Sequence, residues 1–81
     1  MTITVKLFAI LRDRAGTSEL TLDLPRGSAA SVALESIASR YPALRDHLPR
    51  AALAINREYV PRDTALSDGD ELALIPPVSG G

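Results

Sequence analysis

Apolar and polar residues alternate from the first positions of the chain. Ile3, Val5 and Leu7 fall on one side of an extended segment, and Thr4, Lys6 and Phe8 on the other. That is the period-2 pattern of a strand with one buried face, running from Thr2 towards Ile10. Phe8 is the exception, a large aromatic on the polar side. Either a loop or Leu11 covers it, or it is an exposed contact for a partner. Leu11 to Gly16 is mostly polar and ends in glycine, which predicts a turn or a single helical turn stopped at Gly16. Alternation resumes from Ser18 to Leu24, with Leu20, Leu22 and Leu24 opposite Glu19, Thr21 and Asp23. The short connection predicts a strand antiparallel to the first.

The period then changes. Ala30, Leu34, Ile37, Ala38 and Tyr41 recur at i, i+4, i+7, i+8 and i+11, a helical stripe. Ser31 is the expected N-cap, with Ser28 as the alternative. Pro42 ends the helix near Tyr41, and Tyr41 reads as a core-edge residue. Ala43 to Arg50 reads as a loop carrying His47, the chain's one histidine, as a solvated residue. Ala51 to Ile55 predicts a short strand with Leu53 and Ile55 on one face. A tight turn follows, with Asn56 or Arg57 in an unusual backbone conformation. Val60-Pro61 marks an edge, Leu66 a core plug, and Ser67-Asp68-Gly69-Asp70 a second turn. Glu71 to Ile75 is the last strand, with Leu72 and Leu74 opposite Ala73 and Ile75. One helix across one face of a small mixed sheet makes an α+β roll. In such a roll the last strand can lie beside the first and parallel to it.

Beyond Ile75 the chain reads Pro76-Pro77-Val78-Ser79-Gly80-Gly81. Neither proline offers an N–H, so the sheet cannot continue. The pair predicts a stiff, extended exit. The four residues after it can reach ~13 Å. Without Cβ atoms, Gly80 and Gly81 can pass a channel too narrow for other residues. This divides the chain into a folded domain, residues 1–75, and a flexible, protruding tail, residues 76–81.

Composition narrows the chemistry. An apolar fraction of 46% over 81 residues supports one small domain with a real core. The chain has no cysteine, which excludes disulfides, thiolate catalysis and a cysteine zinc site and fits a cytoplasmic protein. His47 has no partner at ligand spacing, so no metal site is expected. A net charge of −1 gives no broad electrostatic reason to bind nucleic acid or an anionic membrane. No apolar run is long enough to span a bilayer, and none has a basic leader before it. No catalytic triad or phosphate loop can be assembled. The distinctive reactive group is the carboxylate of Gly81. It is a poor electrophile until activated as an acyl-adenylate, after which a sulfur donor or an amine can attack it.

Three stretches carry a resemblance over essentially the whole length. They are Val5-Lys6-Leu7-Phe8-Ala9-Ile10-Leu11-Arg12, Ala54-Ile55-Asn56-Arg57-Glu58-Tyr59-Val60, and Asp68 to Gly81 with its Pro-Pro-Val-Ser-Gly-Gly ending. The chain resembles the small subunits of molybdopterin synthase, ubiquitin-like sulfur carriers of the β-grasp fold. The resemblance implies that residues 1–75 form the β-grasp domain. It implies that Gly81, next to Gly80, is adenylated by a ubiquitin-activating-type enzyme using ATP, with no cofactor bound by this chain. The tail would then carry a thiocarboxylate and give its sulfur to cyclic pyranopterin monophosphate. It also implies a large-subunit partner, in an assembly of two small and two large subunits. Phe8, Arg12, Pro76, Pro77, Val78 and Ser79 would be partner contacts. Two alternatives remain at this stage. One is a carrier for thiamine or cysteine synthesis, or a protein modifier. The other is a β-grasp interaction module with an inert tail.

Overall fold

A computed structural model describes residues 1–77. The expectations for Val78, Ser79, Gly80 and Gly81 lie outside the described residues. The elements are β1 (Thr2–Leu7), α1 (Ala9–Ala15), β2 (Glu19–Asp23), α2 (Ala30–Arg40), β3 (Ala52–Ile55), β4 (Glu58–Val60) and β5 (Glu71–Ile75), with single 3₁₀ turns at Pro42–Leu44 and Leu48–Arg50. The strands form one mixed sheet in the order β2-β1-β5-β3-β4. This is the β-grasp arrangement. β1 pairs antiparallel with β2, and β5 lies between β1, to which it is parallel, and β3, to which it is antiparallel.

Register follows the alternation read from the sequence. Leu7, Leu74, Leu53 and Val60 are successive partners across four strands, and the three leucines are buried. Ile3, Val5, Leu20, Leu22 and Leu72 join them in the core, against Ala30, Ala33, Leu34 and Ile37 of α2. Leu66 is buried, as expected of a plug. Tyr41 packs partly against the core as the helix C-cap. Both Asn56 and Arg57 have positive φ, 50° and 72°.

Three expectations are corrected. The first strand ends at Leu7, and the segment expected to be a turn or a single helical turn is a longer, seven-residue helix, α1, stopped as expected at Gly16 with φ 76°. Leu11, counted with a polar stretch, is fully buried there, with Ile10 and Ala15 packed partly beside it. Tertiary burial of that one apolar face overrides the polar composition. The segment expected to be a loop from Ala43 to Arg50 overlaps one 3₁₀ turn, Pro42–Leu44, and contains a second, Leu48–Arg50, with Leu44 and Leu48 buried in the core. Finally, neither Ser31 nor Ser28 caps α2. The N-cap is Ala29, which makes no side-chain cap bond. The helix's first amides are satisfied by backbone instead: Ala30 N donates to Thr64 O and Ser31 N to Arg62 O, both at 2.9 Å. The Ser28 hydroxyl donates to Pro25 O at 2.7 Å.

The segment that caps α2 is itself held by Arg62. Its Nη2 lies 3.0, 2.8 and 3.0 Å from the carbonyls of Leu48, Pro49 and Ala51. One guanidinium thus ties the second 3₁₀ turn to the turn that follows β4. Arg62→Met keeps the aliphatic stem but removes the donors. It should lower stability by about 1.5–3 kcal/mol, read as a reduced urea midpoint with an unchanged m-value.

Candidate functional site

The sheet has two faces, and α2 covers only one. The other shows the alternate residues of each strand. Its central row runs Glu19, Lys6, Ala73, Ala54 and Tyr59 across all five strands. Small side chains at Ala73 and Ala54 leave a shallow depression of about 410 Å³, lined by Lys6, Phe8, Ala54, Arg57, Tyr59, Glu71, Ala73 and Ile75. Its floor is apolar. Phe8 is 44% exposed and Tyr59 73% exposed, so two aromatics stand on this face with much of their surface in solvent.

Local geometry explains Phe8. Its backbone stays extended, φ −125° and ψ 153°, so its side chain continues the β1 alternation on the uncovered face. The next residue, Ala9, has φ 51°, a left-handed conformation that an alanine adopts at a cost of about 1–2 kcal/mol. That reversal sends the chain into α1 and buries Leu11 while Phe8 stays outside. The expectation that a loop or Leu11 covers Phe8 is not met, since its side chain stays exposed.

Arg12 sits one turn into α1, its amide directed at Phe8 O at 3.5 Å. Its guanidinium is exposed, 3.7 Å from the carboxylate of Asp13, and does not line the depression. Pro76 and Pro77 follow Ile75 directly and belong to no regular element. Among the predicted site residues, the structure therefore brings Phe8 beside the strand end that leads to Pro76, with Arg12 a turn away. Gly80, Gly81, Val78 and Ser79 lie outside the described residues.

Lys6, Arg57, Tyr59, Ala73 and Ile75 were not singled out as site residues from the sequence. The alternation does separate Ala73 and Ile75 from the buried leucines. It cannot place them beside Phe8 and Tyr59, because that depends on which strands are neighbours. The face has weak electrostatics of its own: Lys6 Nζ lies 4.0 Å from Glu19 and 4.0 Å from Glu71, all well exposed. Among the described residues no cluster of three or more acidic residues or histidines could hold a metal, and no helix is long and apolar enough to cross a membrane. The depression lies next to Ile75, where the chain leaves the sheet.

Comparison with known proteins places the chain among others of its kind. The sequence pattern of the ThiS family matches residues 5–81. The molybdopterin synthase sulfur carrier subunit of Chlamydomonas reinhardtii is 45% identical over 83 residues, covering 100% of each chain. SAMP1 from Haloferax volcanii superposes with a TM-score of 0.92 at 31% identity, over 100% of both chains. A chain from the protein–protein complex of subunits 1 and 2 of molybdopterin-converting factor from Helicobacter pylori superposes with a TM-score of 0.70 at 26% identity, also over 100% of both.

An exposed Phe8 and a buried Leu11 make a paired test of this geometry. Leu11→Ala should cost about 2–5 kcal/mol, a fall in melting temperature of roughly ten degrees or more in so small a domain. Phe8→Ala should move the melting temperature by only a few degrees. Equal falls for the two variants in a thermal melt would show that Phe8 belongs to the core.

Proposed function

The chain belongs to the ThiS family, and we propose that it is the sulfur carrier subunit of a molybdopterin synthase. The observation that carries this reading is a conjunction. The central strand of the sheet ends at Ile75 beside an uncovered depression that Phe8 also lines, and the sequence from there reads Pro-Pro-Val-Ser-Gly-Gly. The names of the curated relatives point the same way, at 34 to 45% identity over 95% or more of this chain.

In this reading Gly81 carries the working carboxylate. One of its oxygens attacks the α-phosphorus of ATP on an adenylating enzyme of the ubiquitin-activating type, and pyrophosphate leaves. A sulfur donor then displaces AMP from the acyl-adenylate, giving a thiocarboxylate. The large subunit of the synthase receives the tail, and the sulfur passes to cyclic pyranopterin monophosphate. This chain supplies no acid, base or cofactor. Its own contribution is positional: Phe8 and the depression dock, Arg12 adds a charge beside them, and Pro76 and Pro77 fix the direction in which Val78, Ser79 and the two glycines leave. Two small and two large subunits complete the assembly, in the cytoplasm.

One observation favours a second reading. The close superposition on SAMP1, a small archaeal modifier protein, fits a chain whose activated carboxylate is taken by an amine to form an amide. The two readings separate on the large subunit, which only the carrier needs.

Intact mass after incubation with ATP, the adenylating enzyme and a sulfur donor should show one oxygen of the tail replaced by sulfur. Appending a single Ala after Gly81 should leave circular dichroism native and abolish dithiolene formation by the reconstituted complex. The added residue brings a Cβ into a path suited to glycine. It also displaces the reacting carbonyl by ~3.5 Å, where even 1 Å can cost on the order of a hundredfold in rate. Full activity with the extra Ala retained would show that Gly81 is not the working residue.

A further inference from the structure

Arg57 occupies a position that its own backbone disfavours. Asn56 and Arg57 are the two residues between β3 and β4, with Ile55 paired to Glu58. Both have positive φ, which is the primed hairpin turn that favours asparagine followed by glycine. Asn56 meets that preference and is used there. Its Nδ2 donates to Asp70 Oδ1 at 2.9 Å, and its Oδ1 accepts from Glu71 N at 3.0 Å. Arg57, at φ 72°, puts a Cβ where glycine would be unstrained. No hydrogen bond or ion pair within the described residues holds its side chain. Local strain kept without a structural return points to a role elsewhere.

The side chain lines the same depression as Phe8, Tyr59 and Ile75. Of the two cations there, Lys6 already faces Glu19 and Glu71 at 4.0 Å each. Arg57 is left as the cation with no carboxylate at ion-pair distance among the described residues, on an apolar floor that continues to the strand end at Ile75. A planar guanidinium in that setting suits a carboxylate, which it can bind with two parallel N–H···O bonds.

We propose that Arg57 is a specificity-determining contact, receiving a carboxylate from the large subunit as that protein covers the uncovered sheet face. This rests on the carrier reading above and adds the chemistry of the partner's surface to it. The strain and the contact make opposite demands at one residue, so a single substitution separates them.

The experiment uses the full chain and the large subunit from the same source. Arg57→Gly should raise the melting temperature, since glycine relaxes the turn. It should also bind the large subunit roughly fivefold more weakly, with a shallower dependence on salt. Arg57→Lys, which keeps the charge but loses the fork, should recover part of the affinity, and Arg57→Glu should bind worse than Arg57→Gly. Equal affinity of Arg57→Gly and wild type overturns the contact. So does a melting temperature that fails to rise, or a loss confined to the adenylating enzyme. The carrier reading is judged separately by the thiocarboxylate on the wild-type tail, so an unchanged affinity here leaves it standing.

Discussion

The parallel pairing of β5 with β1 is the constraint on which the rest depends. Parallel strands need a long crossover, and here the two ends of the domain are brought together across nearly its whole length. A set of short bonds fixes the register where β5 begins. Thr2 N donates to Asp68 Oδ1 at 2.7 Å, Gly69 N donates to Thr2 O at 2.8 Å, and Thr4 N donates to Asp70 O at 3.0 Å. The turn at Ser67–Asp70 is thus locked onto the first strand before β5 starts. Once Val5 is set against Leu72 and Leu7 against Leu74, the last strand has a neighbour on each side and its leucines are fully or almost fully buried.

Putting the last strand in the middle has a functional consequence. A chain that left from an edge strand would leave from the part of a sheet most prone to fray or slip. Here β5 is paired on both sides as far as Leu74, and Ile75 itself lies opposite Ala52 of β3. The two ends of the uncovered face differ accordingly. The end where β5 starts is tied by polar contacts among Asn56, Asp70 and Glu71. The end where it stops is apolar, with Phe8 and Ile75. The chain therefore leaves the sheet beside Phe8, on the face that α2 does not cover.

The strained positions fit the same division. Ala9, Asn56 and Arg57 are the non-glycine residues with positive φ among the described residues. Ala9 turns the chain from β1 into α1 just after Phe8, and Arg57 lines the depression that Phe8 also lines. Asn56 returns its strain locally through two side-chain hydrogen bonds and Ala9 through the burial of Leu11, whereas nothing among the described residues does so for Arg57.

The sequence by itself determined what depends on near neighbours along the chain. Period-2 alternation placed the buried leucines of β1, β2 and β5, and the helical stripe located α2. Turn chemistry marked Asn56-Arg57 and Ser67–Asp70, and Pro76-Pro77 marked the end of the sheet. Each is a consequence of local backbone geometry, so each could be read from adjacent residues. Only the tertiary structure decided which strands lie side by side, and with that the site. Lys6, Ala73, Ala54 and Tyr59 come from four separate strands and meet in one row because of strand order. Leu11 showed the same limit, since a polar stretch gave no sign of its burial. So did the start of α2, whose amides find carbonyls more than thirty residues away at Arg62 and Thr64 and need no serine cap. Non-local pairing is set by how the whole core closes, and no local pattern encodes it.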